Sequence, residues 1–150
     1  MRVSDVMTAD VKTVRPQTSA TQAFELMRQH AIHHLVVMDG SAVCGVFSDR
    51  DAGGRRRVSA LANLSVADLM TAPVVVVPPR ETVRKAANLM RGRTVGCLPV
   101  IEDGRLRGIV TVSDLLELVG GGVGRPAVPD RRHLHYRRPH RKQHRAYGAW

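Results

Sequence analysis

The chain has 150 residues, 43% of them apolar, and a formal net charge of +10. This length predicts about one domain, and no run of about 18 apolar residues is present to form a transmembrane helix. The first residues also lack the basic and then apolar layout of a signal peptide, so we expect a soluble protein of the cytoplasm that does not associate with membranes.

The positive charge is concentrated near the C-terminus. Residues 125–150 contain 8 Arg and Lys residues and one Asp, and this segment therefore carries +7 of the net +10. Its Arg pairs are interleaved with Tyr136, Tyr147 and Trp150, a combination suited to neutralising phosphates while rings stack on bases. We interpret the segment as a disordered basic tail, with nucleic-acid binding through it as the alternative.

The two cysteines, Cys44 and Cys97, each lie within an apolar run. Neither has a second Cys or a His at the spacing of metal ligands. We interpret both as small buried hydrophobic residues and predict no disulfide and no metal site.

An internal repeat with an offset of 63 residues organises the chain up to about residue 119. Residues 3–8 (VSDVMT) recur as residues 66–71 (VADLMT). The same register then holds for seven further pairs: Ala23 with Ala86, Met27 with Met90, Leu35 with Leu98, Val37 with Val100, Gly45 with Gly108, Ser48 with Thr111 and Asp51 with Asp114.

Both copies predict the same order of elements. A short helical turn opens each copy, and a valine-rich strand follows over 11–14 and over 74–77. A helix comes next, with N-caps at Thr18 or Ser19 and at Thr82. In the first copy its apolar stripe consists of Ala20, Ala23, Phe24, Met27 and Ala31.

A β-hairpin is then predicted in each copy, 35–38 with 43–47 and 98–101 with 106–110. The turns are marked by Asp39-Gly40 and Asp103-Gly104. A closing helix is predicted over 113–119, ended by the glycines 120–122, whereas Gly53-Gly54 interrupts the equivalent helix of the first copy.

The most informative motif is G-h-h-T/S-x-x-D, which occurs at residues 45–51 and again at 108–114. A hydroxyl and a carboxylate three residues apart, where a strand becomes a helix, lie on one face of the first turn. The carboxylate can then accept both hydroxyls of a ribose, and the helix start can face a phosphate. Alternatively, Ser48 and Thr111 cap their helices and Asp51 and Asp114 are ordinary first-turn acids.

With its D-h-M-T opening, the Leu98-Pro99-Val100 segment and the doubled signature, the chain resembles the tandem cystathionine β-synthase (CBS) domain pair, also called a Bateman module. The resemblance covers about residues 3–119. It implies an α/β (α+β) fold in which two CBS repeats, 1–62 and 63–124, pack about a pseudo-twofold axis and precede the tail, 125–150.

The resemblance also implies two ligand clefts between the repeats, each with the adenine against the first strand of the opposite repeat. The site of Thr111 and Asp114 would be lined by Val14, Arg15, Ala20, Ile32 and His33. The site of Ser48 and Asp51 would be lined by Val77, Pro78, Val83, Val95 and Gly96. Alternatively, His33 serves a phosphate in the Asp51 site, and Arg55-Arg56-Arg57 reaches a ligand's phosphates or is a solvated loop.

These observations predict a regulatory sensor module that binds AMP, ADP, ATP or a related adenosyl ligand, and not an enzyme. The resemblance implies a homodimer, for which the apolar face of the helix from Leu115 to Val119 is a candidate contact. A ligand-free CBS pair that serves only as a dimerisation or interaction surface is the alternative. The regulated partner is not specified by the sequence.

Overall fold

A computed structural model describes residues 1–51 and 61–120 of the chain. Gly53-Gly54, the arginines 55–57 and the tail 125–150 lie outside these residues, so the predictions made for them remain predictions. Ten elements follow one another: α1 (Val3–Val6), β1 (Thr13–Val14), α2 (Ala20–Gln29), β2 (His34–Asp39), β3 (Ala42–Ser48), α3 (Val66–Leu69), α4 (Val83–Arg93), β4 (Cys97–Glu102), β5 (Arg105–Thr111) and α5 (Val112–Gly120).

The two hairpins are confirmed and extend slightly beyond their predicted ends. Strands β2 and β3 pair antiparallel, as do β4 and β5, and each ladder shifts register at the same place in the repeat. The turn glycines Gly40 and Gly104 have φ values of +60° and +73°. Glycine adopts this left-handed conformation at no steric cost, which is why these turns are tight.

The valine-rich strands are shorter than predicted. In the first copy the predicted strand 11–14 is limited to the two residues of β1, which pairs parallel with β2. In the second copy the predicted strand 74–77 is reduced to a single bridge between Val77 and Val100. In the first copy, Val36 donates its N–H to the carbonyl of Lys12 at 3.2 Å. The equivalent of Val36 is Pro99, which has no N–H, so the second ladder lacks this hydrogen bond.

The helix N-caps are confirmed. The Ser19 hydroxyl accepts from the N–H of Gln22 at 3.1 Å, and the Thr82 hydroxyl accepts from the N–H of Lys85 at 3.1 Å. The Thr18 hydroxyl instead accepts from the N–H of Arg15. Each cap satisfies a backbone donor that the first turn leaves unpaired, so the start of each helix is defined locally.

The apolar stripe of α2 is buried, except at its predicted last member. Ala20, Ala23, Phe24 and Met27 pack in the first hydrophobic core. Ala31 is exposed and lies beyond the end of the helix, in a left-handed conformation with φ +51°. Because the left-handed turn ends the helical periodicity, Ala31 leaves the stripe.

Each opening helix contributes to the core of the other repeat. Val3 of α1 packs with residues of α4, β4 and β5, and Val66 of α3 packs with residues of α2, β2 and β3. Thr8 bridges Ile109 of β5, and Thr71 bridges Val46 of β3. The two repeats are therefore interleaved. A third cluster, formed by Val36, Val46, Cys97 and Ile109, joins the two sheets.

Helix α5 is confirmed with one more residue at each end than predicted. Leu115 packs against the second core, whereas the residues Leu116 and Val119 are 63% and 88% exposed. Across residues 1–51 and 61–120, no helix combines the length and apolarity that crossing a membrane requires.

Candidate functional site

Both signature turns share two reciprocal hydrogen bonds, and in the first the Ser48 hydroxyl also donates to Asp51 Oδ2 at 3.1 Å. The backbone N–H of Ser48 donates to Asp51 Oδ2 at 2.8 Å, and the N–H of Thr111 donates to Asp114 Oδ2 at the same distance. In return, Asp51 and Asp114 donate their own N–H groups to the Ser48 and Thr111 hydroxyls. The repeat is thus preserved at the level of single atoms, and each turn is a capping box.

Capping alone does not distinguish a ligand site, because a third turn has the same geometry. Ser65 and Asp68, at the start of α3, form the same reciprocal hydrogen bonds, with a Ser65 N–H to Asp68 Oδ2 distance of 2.8 Å. The capping interpretation is therefore confirmed for Thr111, which precedes α5, whereas for Ser48 the reciprocal hydrogen bonds are present but the residues after Asp51 lie outside the described part of the chain. Whether the turns also bind a ligand depends on what surrounds them.

Burial separates Asp51 from Asp68. Partial burial raises the pKa of Asp51 above its ordinary value, despite the hydrogen bonds from Ser48 that act in the opposite direction. Asp68 is fully exposed, and the same hydrogen bonds, here from Ser65, lower its pKa. Asp51 therefore faces a desolvated space that Asp68 does not.

That space is a cavity of about 330 Å³, which we call the Asp51 cleft. It contains four of the predicted residues, Ser48 and Asp51 from the first repeat with Val95 and Gly96 from the second. The remaining lining residues are His34, Val46, Arg50, Thr71, Thr94 and Cys97.

A second cavity, of about 210 Å³, lies at the other signature turn, and we call it the Asp114 cleft. Three predicted residues, Thr111, Ile32 and His33, line it, and Asp114 adjoins it through its hydrogen bonds with Thr111. The other lining residues are Thr8, Asp10, Val11, Lys12, Ala31, His34, Ile109 and Ser113.

The repeat offset relates the two clefts residue by residue. Eight residues of the Asp114 cleft have their equivalents, 63 positions away, in the Asp51 cleft: Thr8 and Thr71, Ala31 and Thr94, Ile32 and Val95, His33 and Gly96, His34 and Cys97, Val46 and Ile109, Ser48 and Thr111, and Arg50 and Ser113. The two cavities are therefore one site built twice.

Besides Asp114, which adjoins its cleft, six of the predicted residues line neither cleft. Ala20 and Val77 are buried in the first and second cores, where Val14 also packs against the first. Arg15 is exposed, and Pro78 and Val83 lie at the turn that leads into α4. Val14 and Val77 pack in the core of their own repeat, and residues nearer the start of each repeat, such as Thr8 and Thr71, line the clefts instead.

The lining residues that were not predicted come from the start of each repeat, from the signature itself and from the junctions between helix and hairpin, which supply Ala31, His34, Thr94 and Cys97. Thr8 and Thr71 are the last residues of the repeated D-h-M-T opening, and Val46 and Ile109 are the first apolar residues of the signature. Both pairs recur at the offset of 63, which marks them as equivalent positions of the repeat but does not by itself place them in a cleft.

His33 and His34 occupy different surroundings. His33 Nδ1 lies 2.8 Å from Asp49 Oδ2, and His33 lines the Asp114 cleft and a neighbouring cavity beside Phe24 and Arg28. The alternative in which His33 serves the Asp51 cleft is not supported, because His34 lines that cleft instead. Within residues 1–51 and 61–120 no group of three or more potential metal ligands forms.

Cys44 and Cys97 are free thiols, with Cys44 partly buried and Cys97 buried. Burial raises the pKa of the Cys97 thiol to about 12. Its thiolate is therefore scarce at neutral pH, and Cys97 contributes to the Asp51 cleft as a small apolar residue.

Comparison with known proteins identifies the family. A model of the CBS domain matches residues 3–52 and again residues 66–121. The chain belongs to the CBS-domain family. It contains a tandem CBS pair, and the CBS domain-containing protein YhcV of Bacillus subtilis (strain 168) is 30% identical to it over 114 residues, which cover 75% of this chain and 81% of YhcV.

Other curated relatives carry CBS pairs within larger enzymes. Inosine-5'-monophosphate dehydrogenase of Korarchaeum cryptofilum (strain OPF8) is 35% identical over 115 residues, which cover 76% of this chain but 23% of that enzyme. The chain thus matches the CBS portion of such enzymes and spans less than a quarter of this one.

Solved CBS pairs confirm the α+β fold. The CBS domain pair of protein MJ0100, in complex with 5'-methylthioadenosine and S-adenosyl-L-methionine, superposes with a TM-score of 0.73 at 26% identity, covering 81% of this chain and 97% of that one. CBSX2 in complex with AMP superposes with a TM-score of 0.67 at 30% identity, covering 80% and 96%. CBS pairs of this fold therefore include proteins that bind adenosyl ligands.

Proposed function

We propose that the chain is a regulatory sensor module that binds an adenosine-containing ligand in the Asp51 and Asp114 clefts. One observation carries the proposal. The same turn, with a hydroxyl and a carboxylate held three residues apart, opens onto a cavity twice at equivalent positions. The similar CBS pairs with bound AMP or S-adenosyl-L-methionine support this ligand class.

The chemistry of each turn suits a nucleoside. The hydrogen bonds from Ser48 and Thr111 reach Oδ2 of the two carboxylates, so among the described residues Oδ1 is left to accept ribose hydroxyls. Val46 and Val95 in one cleft, and Ile109 and Ile32 in the other, offer apolar walls for an adenine ring. In the Asp114 cleft, a phosphate attached to the ribose would meet the positive, N-terminal end of α5, which starts at Val112.

The clefts differ in the groups that would meet a phosphate. Arg50 lines the Asp51 cleft, and its equivalent in the Asp114 cleft is Ser113. In the Asp114 cleft, Lys12 lies 3.3 Å from Asp10, so part of its charge is already compensated. AMP, ADP and ATP are all candidate ligands, and those with more phosphate are favoured in the Asp51 cleft.

Thermal melting of the full chain tests the proposal. AMP, ADP, ATP, NAD, S-adenosylmethionine and cyclic di-AMP are added in turn, and a ligand at about 100 times its dissociation constant stabilises by about 2.7 kcal/mol. We expect at least one of them to raise the melting temperature, by a smaller amount in Asp51→Ala and in Asp114→Ala than in the unsubstituted chain. If none of the six shifts the melting temperature, the proposal is wrong.

Asp68→Ala is the matched control. It removes the hydrogen bonds that the Asp68 carboxylate accepts from the N–H and the hydroxyl of Ser65, at a turn outside both clefts. Loss of a cap lowers stability by about 1 kcal/mol whether or not the residue binds a ligand. The ligand-induced shift should therefore be unchanged in Asp68→Ala, and an equal loss of that shift in all three variants would assign Asp51 and Asp114 to capping alone.

A ligand-free dimerisation module is the second candidate function, and the exposed apolar side chains of α5 favour it. Leu116, Leu118 and Val119 are 63%, 39% and 88% exposed. We propose that a second copy of the chain covers them in a homodimer. Sedimentation velocity should show a dimer that Leu116→Glu together with Val119→Glu converts to a monomer. A monomeric unsubstituted chain would contradict this.

The proposal of a sensor module includes a regulatory role and a location in the cytoplasm. Nucleic-acid binding through residues 125–150 is a separate alternative. None of the described residues that line the two clefts lies in that segment. Nucleic-acid binding that weakens with salt and disappears on removing 125–150, with nucleotide binding unchanged, would establish a second role for the tail.

A further inference from the structure

His34 is the one residue that lines both the Asp51 cleft and the Asp114 cleft among those whose structure is described. Its Nε2 lies 3.0 Å from the position that a Cβ on Gly96 would occupy. Because residue 96 is a glycine, there is room there for the imidazole. The repeat equivalent of His34 is Cys97, which lines only the Asp51 cleft. The shared wall is therefore a single side chain with no symmetric counterpart.

The imidazole is held in its neutral form near pH 7.5. Burial lowers the pKa of His34, and nearby His33 acts in the same direction, while Asp49 and Asp114 oppose the shift without reversing it. A neutral imidazole has one N–H donor and one acceptor nitrogen. It can therefore donate a hydrogen bond towards one cleft at a time.

Eight lining positions recur in both clefts, so the same nucleotide bound in each would lie beside the shared His34 side chain. We propose that His34 couples the two clefts, so that a nucleotide bound in one weakens binding of the second nucleotide in the other. The first ligand orients the imidazole and accepts a hydrogen bond from its one N–H group. The second ligand then faces either the acceptor nitrogen or a displaced ring, so it lacks that hydrogen bond. This inference rests on the proposed nucleotide function and adds an interaction between the sites.

Titration calorimetry of the full chain with AMP at pH 7.5 tests the coupling. Asp114→Ala leaves only the Asp51 cleft and Asp51→Ala leaves only the Asp114 cleft, so each affinity is measured alone. In the unsubstituted chain we expect the dissociation constant of the second AMP to be at least about 5-fold larger than the dissociation constant measured in either single-cleft variant. An effect of about 5-fold is at the lower end of typical couplings between sites. In His34→Ala the isotherm should equal that of two independent sites.

Two further variants separate the role of the donor from that of packing. Cys97→Ala changes the equivalent residue, which lines only the Asp51 cleft, and should keep the coupling. His34→Gln keeps a polar side chain whose amide has two N–H groups. It should abolish the coupling while retaining more affinity than His34→Ala, and it provides the test if the alanine variant does not fold.

The outcomes distinguish this inference from the proposed function. Absence of AMP binding to the unsubstituted chain would overturn both. Binding in both clefts with an isotherm equal to the sum of the two single-cleft variants would overturn the coupling alone, and so would coupling that persists in His34→Ala and His34→Gln. Binding in only one of the single-cleft variants would also overturn the coupling, because no second site would remain to be affected.

Discussion

Gly45 and Gly108, the first residues of the two signatures, are required by a close approach of backbone. A Cβ on Gly108 would lie 2.7 Å from the carbonyl oxygen of Thr8 and 2.8 Å from Met7 Sδ. A Cβ on Gly45 would lie 2.6 Å from Met70 Sδ and 3.1 Å from the carbonyl oxygen of Thr71. In both copies the glycine therefore lets the opening segment of the other repeat pair with the last strand.

We expect Gly108→Ala to lower the free energy of unfolding by about 2 kcal/mol, within the range for overpacked sites, and Gly45→Ala to lower it less. The Met70 side chain in contact with position 45 can move, whereas the Thr8 carbonyl belongs to the backbone. Urea unfolding followed by circular dichroism measures both. Gly92→Ala is the control, because among the described residues no atom outside its chain neighbours and the adjacent helix backbone lies within 4 Å of its Cβ position in α4, and it should stabilise by about 0.5–1 kcal/mol. An equal stability for Gly108→Ala and Gly92→Ala would contradict the close approach.

At the scale of elements, both long helices of the repeats end in a left-handed residue that is not glycine. Ala31 follows α2 with φ +51°, and Thr94 ends α4 with φ +53°. This conformation costs about 1–2 kcal/mol for a residue with a Cβ. Glycine is the usual residue at this position of a helix end, because it adopts the conformation without that cost.

We therefore expect Thr94→Gly to raise the free energy of unfolding by about 1 kcal/mol, and Ala31→Gly to raise it by less because alanine is not β-branched. Thr94→Val is the matched control, since it keeps the branched Cβ and should give no gain. Chemical denaturation of the three variants measures these changes in the free energy of unfolding. If Thr94→Val stabilises as much as Thr94→Gly, the hydroxyl and not the backbone conformation is responsible.

The elements themselves were largely predictable from local chemistry. Interactions between residues a few positions apart determine the helix caps at Ser19 and Thr82 and the turns at Gly40 and Gly104. These features could therefore be predicted from the local sequence. The strand 74–77 was predicted wrongly because its length depends on Pro99, a distant partner without an N–H. Ala31 was misplaced because helical periodicity does not show where a left-handed residue ends the helix.

At the scale of the whole molecule, the repeat predicted two equivalent clefts but not which segments line them. In the structure, Ser48 shares a cleft with residues of the second repeat and Thr111 with residues of the first. Four residues of the predicted linings are among them: Ile32, His33, Val95 and Gly96. The opening turns cross between repeats, and their pattern is identical in both copies. Sequence alone therefore could not indicate that Thr8 faces Ile109 and Thr71 faces Val46.

The interleaving makes a prediction about the stability of the entire chain. Val3 is completely buried in the second core although it lies near the N-terminus, next to residues more than 70 positions away in sequence, such as Val77 and Val110. Val3→Ala should lower the free energy of unfolding by about 2 kcal/mol, the loss of buried methyl groups plus the cavity they leave. The control is the same substitution at Val76, which is 43% exposed and should change stability by about 0.5 kcal/mol or less.

Because each core contains a helix from the other repeat, neither repeat keeps a complete core when the other unfolds. We therefore expect a single calorimetric transition in the unsubstituted chain and in Val3→Ala, with the calorimetric enthalpy equal to the van't Hoff enthalpy. Independent repeats would instead give two transitions, of which Val3→Ala would shift only one. A ligand that bridges the clefts would act on this one cooperative unit, so its binding energy would raise the melting temperature of both repeats together.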